Sequence, residues 1–251
     1  MRIYDVRGLR IGDGRPKLIA PIVARTREQA LAQAARLIRL PVDIAEWRAD
    51  HLQADAREIL ETLGQLRNAL AIPLLFTYRT HKEGGEGCIS PDAYSALNRR
   101  AAQSGDADMI DVELSAGESA VQSLLTDIRA SGALSVVSSH DFSATPPKDK
   151  IVRTLLAMQA LNADIPKLAC MPKNTEDVLA LLTASAEFKR LADRPYLCIS
   201  MGDLGAISRI AGEMFGSALT FCAAEEVSAP GQLPAAALAA ILDALHAGNA
   251  R

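Results

Sequence analysis

The chain has 251 residues, 49% of them hydrophobic and 23% charged, with a formal net charge of -3. That length suits one large barrel or two small domains with a substantial core, and the mild acidity argues against nucleic acid or an anionic membrane as the main partner. No stretch approaches the roughly 18 uncharged apolar residues of a membrane helix, since even the aliphatic segment from Pro234 to His246 is broken by Asp243.

Met1 to Arg10 carry charges throughout and no apolar signal core, so export is not expected. The four cysteines, Cys88, Cys170, Cys198 and Cys222, include no pair at metal-ligand or redox spacing. They read as free thiols of a reducing cytoplasm, with no metal site.

Ile3 to Val6 and Leu9 to Ile11, separated by Arg7-Gly8, predict a short β-hairpin within residues 1–12. After it the chain repeats an aliphatic run, a polar or glycine-containing turn and an amphipathic helix. The strand-like runs are Lys17 to Val23, Val42 to Trp47, Pro73 to Tyr78, Asp108 to Val112, Leu134 to Ser139, Pro166 to Cys170, Tyr196 to Ser200 and Ala218 to Phe221. The helical segments between and after them are Thr26 to Arg39, Asp55 to Leu70, Ser90 to Ser104, Gly117 to Ala130, Lys148 to Leu161, Thr175 to Lys189, Ala206 to Met214 and Pro234 to Leu245. Such alternation implies an α/β fold with a parallel sheet, and eight units in this length suit a closed (β/α)8 TIM barrel. An open doubly wound sheet would need glycines in its first turn, and Pro21-Ile-Val-Ala-Arg25 has none. No linker divides the chain, so residues 1–251 read as one domain. Gly202-Asp-Leu-Gly205 and Ser228-Ala-Pro-Gly-Gln232 read as mobile loops, the latter as a lid over residues 226–233.

One lysine, Lys167, interrupts the apolar run Ala163 to Pro172. An unpaired ammonium in such surroundings tends to give up its proton and become a nucleophilic amine, although a lysine at a strand end can also snorkel to solvent. His140 ends the preceding strand-like run, and parallel pairing would bring the two side chains from strands about 5 Å apart. The other runs end in Glu46-Trp-Arg48, with Glu46 and Arg48 on one face, Phe76-Thr-Tyr-Arg79 and Asp111-Val-Glu113, while Ser208-Arg209 follows the seventh. Barrel chemistry gathers at these ends. Each residue has a plainer reading: Glu46 and Arg48 as an ion pair, Arg79 as a solvated loop residue, Glu83 and Glu86 as turn charges, His140 as a cap or packed ring. Arg209, near the start of a short helix, opposes the helix dipole unless an anion lies between them. Together they describe a pocket for a small anionic, polyhydroxylated ketone.

The segments Glu46-Trp-Arg-Ala-Asp50, Leu75-Phe-Thr-Tyr-Arg79, Glu83-Gly-Gly-Glu86, Met109-Ile-Asp-Val-Glu-Leu114, Ser139-His-Asp-Phe142, Asp164-Ile-Pro-Lys167, Ile207-Ser-Arg-Ile-Ala-Gly-Glu213, Phe215-Gly-Ser217 and Ser228-Ala-Pro-Gly-Gln232, in this order over nearly the whole chain, resemble the type I 3-dehydroquinate dehydratases. The resemblance implies a (β/α)8 barrel, usually a homodimer, without metal or organic cofactor, acting in the cytoplasm on 3-dehydroquinate in the shikimate pathway or in quinate breakdown. It further implies that Lys167 forms an imine with the substrate ketone, that His140 shuttles a proton and that Glu83 orients His140. Glu46, Arg48 and Arg79 would hold ring hydroxyls, Arg209 the carboxylate, Ser228 and Gln232 would close from a loop, and Met201 and Phe221 would supply apolar walls. Arg48, Arg79 and Arg209 would also favour a neutral Lys167. Some relatives carry a substrate-contacting serine where this chain has Pro21. A class I aldolase would share the lysine imine but needs a late phosphate-binding turn, of which acidic Gly202-Asp-Leu-Gly205 is a poor version. A catalytically silent relative that binds a quinate-like ligand would not need the retained Lys167, His140 and Glu83.

Overall fold

The structure, a computed structural model, describes residues 1–224 and 231–249. Strands β1 (Tyr4–Val6) and β2 (Leu9–Ile11) form an antiparallel hairpin in which Val6 pairs with Leu9. The connecting Arg7 and Gly8 take φ of 53° and 80°, the left-handed pair that matches strand twist in a two-residue turn.

Eight parallel strands follow: β3 (Lys17–Ile22), β4 (Ile44–Arg48), β5 (Leu74–Thr77), β6 (Met109–Glu113), β7 (Leu134–Asp141), β8 (Ile165–Cys170), β9 (Leu197–Ser200) and β10 (Leu219–Phe221). They hydrogen-bond in the order β10-β3-β4-β5-β6-β7-β8-β9, which curls the sheet into a nearly closed barrel. Between β9 and β10 the backbone of Ala218 donates to Tyr196 O at 2.8 Å, and the Cys198 N–H donates to Ser217 Oγ at 3.2 Å. These bonds tie the seam at its N-terminal end.

The helices α1 (Arg27–Leu37), α2 (Ala56–Ala69), α3 (Pro91–Gln103), α4 (Glu118–Ser131), α5 (Lys148–Ala160) and α6 (Thr175–Lys189) lie where the apolar periodicity predicts them. Thr26, Asp55, Ser90 and Asn174 cap α1, α2, α3 and α6 by accepting from the backbone N–H three residues on, which satisfies an otherwise orphaned donor. The helix predicted over Ala206 to Met214 is instead three pieces: a 3-10 turn over Leu204–Ala206, α7 (Ile207–Ile210) and α8 (Gly212–Phe215). The break is local, because Ala211 leaves the helical region with φ -85° and ψ 9°. Gly202-Asp-Leu-Gly205 is therefore part of a wound turn rather than an open loop, and the Ser208 hydroxyl donates to Gly205 O at 2.7 Å. The last helix, α9, spans Ala235–Asn249. Residues 225–230, which contain Ser228 and most of the predicted lid, lie outside the described residues. Among the described residues no helix is long and apolar enough to cross a membrane.

Two apolar layers build the core. One lies between sheet and helices and includes Trp47, Phe76 and Phe188, all fully buried. The other fills the lower barrel with Ile19, Ile44, Leu75, Met109, Val136, Ile165, Leu197 and Leu219, and Val6 and Ile11 of the hairpin belong to it. The hairpin thus plugs the N-terminal end. Period-two alternation then places the next inward residues one layer higher, where the lining turns from apolar to charged.

Candidate active site

That upper layer begins with Glu46, Thr77, Asp111, Ser138 and Lys167, each two residues beyond an apolar residue of the floor and each buried. Parallel pairing of β7 and β8 sets Ser138 beside Lys167 and His140 beside Ala169. Lys167 and His140 therefore come from neighbouring strands and face the same mouth, as their spacing predicts. Burying so many polar groups is costly unless they satisfy one another. Here they do.

Lys167 is 4% exposed, and its Nζ lies 3.1 Å from Asp111 Oδ2 and 3.5 Å from Glu46 Oε1. The expectation of an unpaired amine in apolar surroundings is thereby corrected, because the run around Lys167 in sequence is apolar while its neighbours across the barrel are carboxylates. The apolar side of its environment is the Phe221 ring, with Nζ 4.8 Å from the centroid. Asp111 is shared, since its Oδ2 also lies 2.8 Å from Arg79 Nη2, and its Oδ1 accepts from Ser138 Oγ at 2.6 Å. Burial raises the Asp111 carboxyl, but Arg79 and Lys167 outweigh it and hold the group well below the usual carboxylate range.

Arg79 is a buried hub rather than a solvated loop residue. Its Nη1 reaches Glu113 Oε1 at 3.0 Å, Ser138 Oγ at 2.9 Å and Glu83 Oε2 at 3.7 Å. Arg48 is not the partner of Glu46. Its fork closes on Asp50 with bonds of 2.8 and 2.7 Å, while Glu46 accepts from Thr77 Oγ1 at 3.0 Å. The bidentate geometry explains the choice, because Asp50 sits on the 3-10 turn directly after β4 and presents both oxygens to the guanidinium.

Glu83 lies on a 3-10 turn over His81–Glu83 and is buried. Its Oε2 stands 2.9 Å from His140 Nδ1 and accepts from the His140 backbone N–H at 3.2 Å. Its Oε1 accepts the Ser115 hydroxyl at 2.6 Å. Burial pushes the carboxyl up to about 7, against the pull of Arg79 and Ser115. Burial also drives the His140 imidazole well below its ordinary value, helped by the positive fields of Arg79 and Lys167. Both shifts favour a neutral ring. A neutral ring that donates a hydrogen bond from Nδ1–H to Glu83 keeps a lone pair on Nε2, which makes Nε2 a base.

Arg209 is 1% exposed, and burial lowers its guanidinium to about 10. It occupies the last turn of the four-residue α7. Arg209 therefore does not oppose the helix dipole as expected, but burial makes its own demand for negative charge nearby.

Glu46, Arg48, Arg79, Glu83, His140, Lys167, Met201, Arg209, Phe221 and Gln232 all line one cavity of about 110 Å³, room for several waters or one compact ligand. Of the residues predicted for the site, Ser228 alone is not placed, being outside the described residues. The cavity wall also contains Ala169, Ile199 and Phe142, which sequence reasoning did not single out. Phe142 lies against Gly84, where an added Cβ would come within 2.3 Å of the ring. Ser138 and Asp50 were likewise missed, and Asp111 and Glu113, named as a strand end at the mouth, were given no partners. Met109-x-Asp111-x-Glu113 carries the inward face upward from the floor by its period of two. Among the described residues no cluster of three or more His, Cys, Asp or Glu could hold a metal ion. The site can thus offer a nucleophilic amine, a base and several cations around a small polar ligand.

A family model described as type I 3-dehydroquinase matches residues 18–249. The 3-dehydroquinate dehydratase of Syntrophotalea carbinolica is 45% identical over 98% of this chain and 99% of its own length. That of Bacillus subtilis is 44% identical over 98% of each. A crystal structure of type I 3-dehydroquinate dehydratase from Clostridium difficile, with covalently modified comenic acid, superposes with a TM-score of 0.96 at 43% identity, covering 98% of this chain and 99% of that one.

Proposed function

The chain belongs to the type I 3-dehydroquinase family, and from that premise we propose that it is a 3-dehydroquinate dehydratase, a hydro-lyase that removes water from 3-dehydroquinate by way of an imine on Lys167. The observation that carries this reading is the presence of the Lys167 amine and the His140 imidazole in one cavity, on strands paired side by side. Full-length similarity to relatives named for that dehydration supports it independently.

A proton next to a ketone is slow to leave because the resulting carbanion has no place for its charge, and a protonated imine nitrogen supplies one. Attack requires the free amine of Lys167, whose Nζ is held within 3.5 Å of Asp111 and Glu46, and its ammonium proton passes to solvent. The amine adds to the 3-keto carbon, the ketone oxygen takes one amine proton and one proton from solvent and leaves as water, and a protonated imine remains. His140 Nε2 then takes the C2 proton, and the electron pair moves onto the imine nitrogen to give an enamine. The imidazolium so formed donates its proton to the C1 hydroxyl, which departs as water on the same side of the ring. Hydrolysis of the conjugated imine releases 3-dehydroshikimate and restores the amine. One histidine serves both proton transfers because it ends each cycle as it began.

Binding follows the charges. Arg209 meets the substrate carboxylate, Arg48 and Glu46 the ring hydroxyls, and Met201 and Phe221 flank the ring. In metabolism this is the third step of the shikimate pathway. The test is an ultraviolet assay for the conjugated enone product: absorbance should grow with the wild-type chain and dehydroquinate and vanish with Lys167→Ala. No absorbance from the wild type would overturn the assignment.

A further inference from the structure

Glu83 receives one hydroxyl besides its contacts with His140, and the proton transfers through His140 do not use it. It comes from Ser115, on the 3-10 turn over Leu114–Ala116 that follows β6. The turn is held at both ends. The backbone N–H of Glu113 donates to the hydroxyl of buried Tyr94 at 2.9 Å, and Gly117 N–H donates to Leu114 O at 3.2 Å. Leu114 also packs against the outer apolar layer. A hydroxyl presented from such a frame is fixed in direction at little further entropic cost.

We propose that Ser115 is a positioning residue: its 2.6 Å hydrogen bond anchors Glu83 Oε1 so that Oε2 stays on His140 Nδ1, and it thereby sets the acid limb of the rate profile. This rests on the dehydratase reading of the site. The groups facing Glu83 come from several elements. Arg79 from the end of β5 favours the carboxylate, Asp111 and Glu113 from β6 disfavour it, and His140 from β7 shares its proton. Lys167 and Arg48 act on the same pair through their fields at His140. Among the described residues the Ser115 hydroxyl is the one neutral donor recorded on Oε1, and a donor stabilises the ionised acceptor over the protonated one. The pair gains one proton as a unit. Losing Ser115 therefore makes that proton bind at higher pH, whether it settles on Glu83 or on the ring, and the base at Nε2 is lost sooner on acidification.

The experiment compares kcat/KM against pH from 5.5 to 9 for wild type, Ser115→Ala, Ser115→Thr, Glu83→Gln and the double variant Ser115→Ala with Glu83→Gln. For Ser115→Ala the acid limb should move up by roughly half to one pH unit, a loss of about three- to tenfold on the acid side, with the plateau unchanged. Ser115→Thr should restore the limb, and in the Glu83→Gln background Ser115→Ala should have no further effect. Ser115 is itself exposed, so water could replace the hydroxyl; an unmoved limb, or a uniform loss at all pH values, would overturn the proposal. Nitrogen NMR titration of the His140 ring reads the same pair without substrate. A midpoint raised in Ser115→Ala upholds the anchoring even if dehydroquinate is not turned over, and an unmoved midpoint refutes it even if it is.

Discussion

Replacing Arg79 by methionine tests the charge balance on which the site is built. The guanidinium is 3% exposed and stands against Asp111 at 2.8 Å, Glu113 at 3.0 Å and Glu83 at 3.7 Å. Methionine fills similar length but leaves these three carboxylates facing one another with Lys167 as the nearest cation on Asp111. Removing one member of a buried charge assembly costs about 3–5 kcal/mol, because the partners stay desolvated and uncompensated. At this chain length 1 kcal/mol corresponds to about 2–4 °C, so Tm should fall by about 6–20 °C. The loss should depend on pH in a definite direction. In the native protein the Asp111 carboxyl is held below its unfolded value by Arg79 and Lys167 against burial, so its contribution is present above about pH 4 and fades as pH falls through the folded value. Without Arg79 the folded carboxyls rise above their unfolded values, and the variant binds protons sooner folded than unfolded. Its deficit should therefore be largest near pH 7 and shrink toward pH 5. Urea unfolding followed by the fluorescence of Trp47, the sole and fully buried tryptophan, measures both. A deficit under about 1 kcal/mol, or one that is equal at pH 7 and pH 5, would refute the reasoning.

Glu83→Gln should lose turnover yet gain stability. The Glu83 carboxyl is raised to about 7 in the folded state, so ionising it costs native stability progressively from about pH 4.5 up to that value; the Tm advantage of the glutamine variant should grow over that window and level off above it, and a constant difference would contradict the assignment. Arg209→Ala removes a buried cation from the pocket wall. Losing a desolvated charge pair with the substrate carboxylate is worth about 2–5 kcal/mol, so KM should rise roughly 30-fold or more; a KM within threefold of wild type would place the carboxylate elsewhere.

The barrel was legible because strands and helices announce themselves locally. Lys17 to Val23 and its seven counterparts are short aliphatic runs separated by helix-length amphipathic segments, and the strands fall within a residue or two of them. Lys167 and His140 were legible together because consecutive strands pair in register. The pairing of Lys167 with carboxylates was not. Asp111 lies 56 positions away in sequence, and periodicity reveals which face a residue occupies but not which counter-charge meets it across a barrel. The choice of Asp50 over Glu46 by Arg48 turns on how one 3-10 turn aims a carboxylate, a detail below the resolution of a hydrophobic pattern. The break at Ala211 was hidden for a similar reason. Ile207 to Met214 contains good helix formers, and the fold overrides their propensity where Gly212 packs against Ser217, an added Cβ there lying 3.1 Å from its carbonyl oxygen.

The account stands or falls on a covalent bond between Lys167 and the substrate carbonyl. Sodium borohydride added to the wild-type chain with dehydroquinate or its product should reduce the imine to a stable secondary amine, and peptide mass spectrometry should find the added ring on Lys167, with none on the Lys167→Ala variant. Turnover that proceeds with no trapped mass at Lys167, or with the mass on another residue, would contradict it.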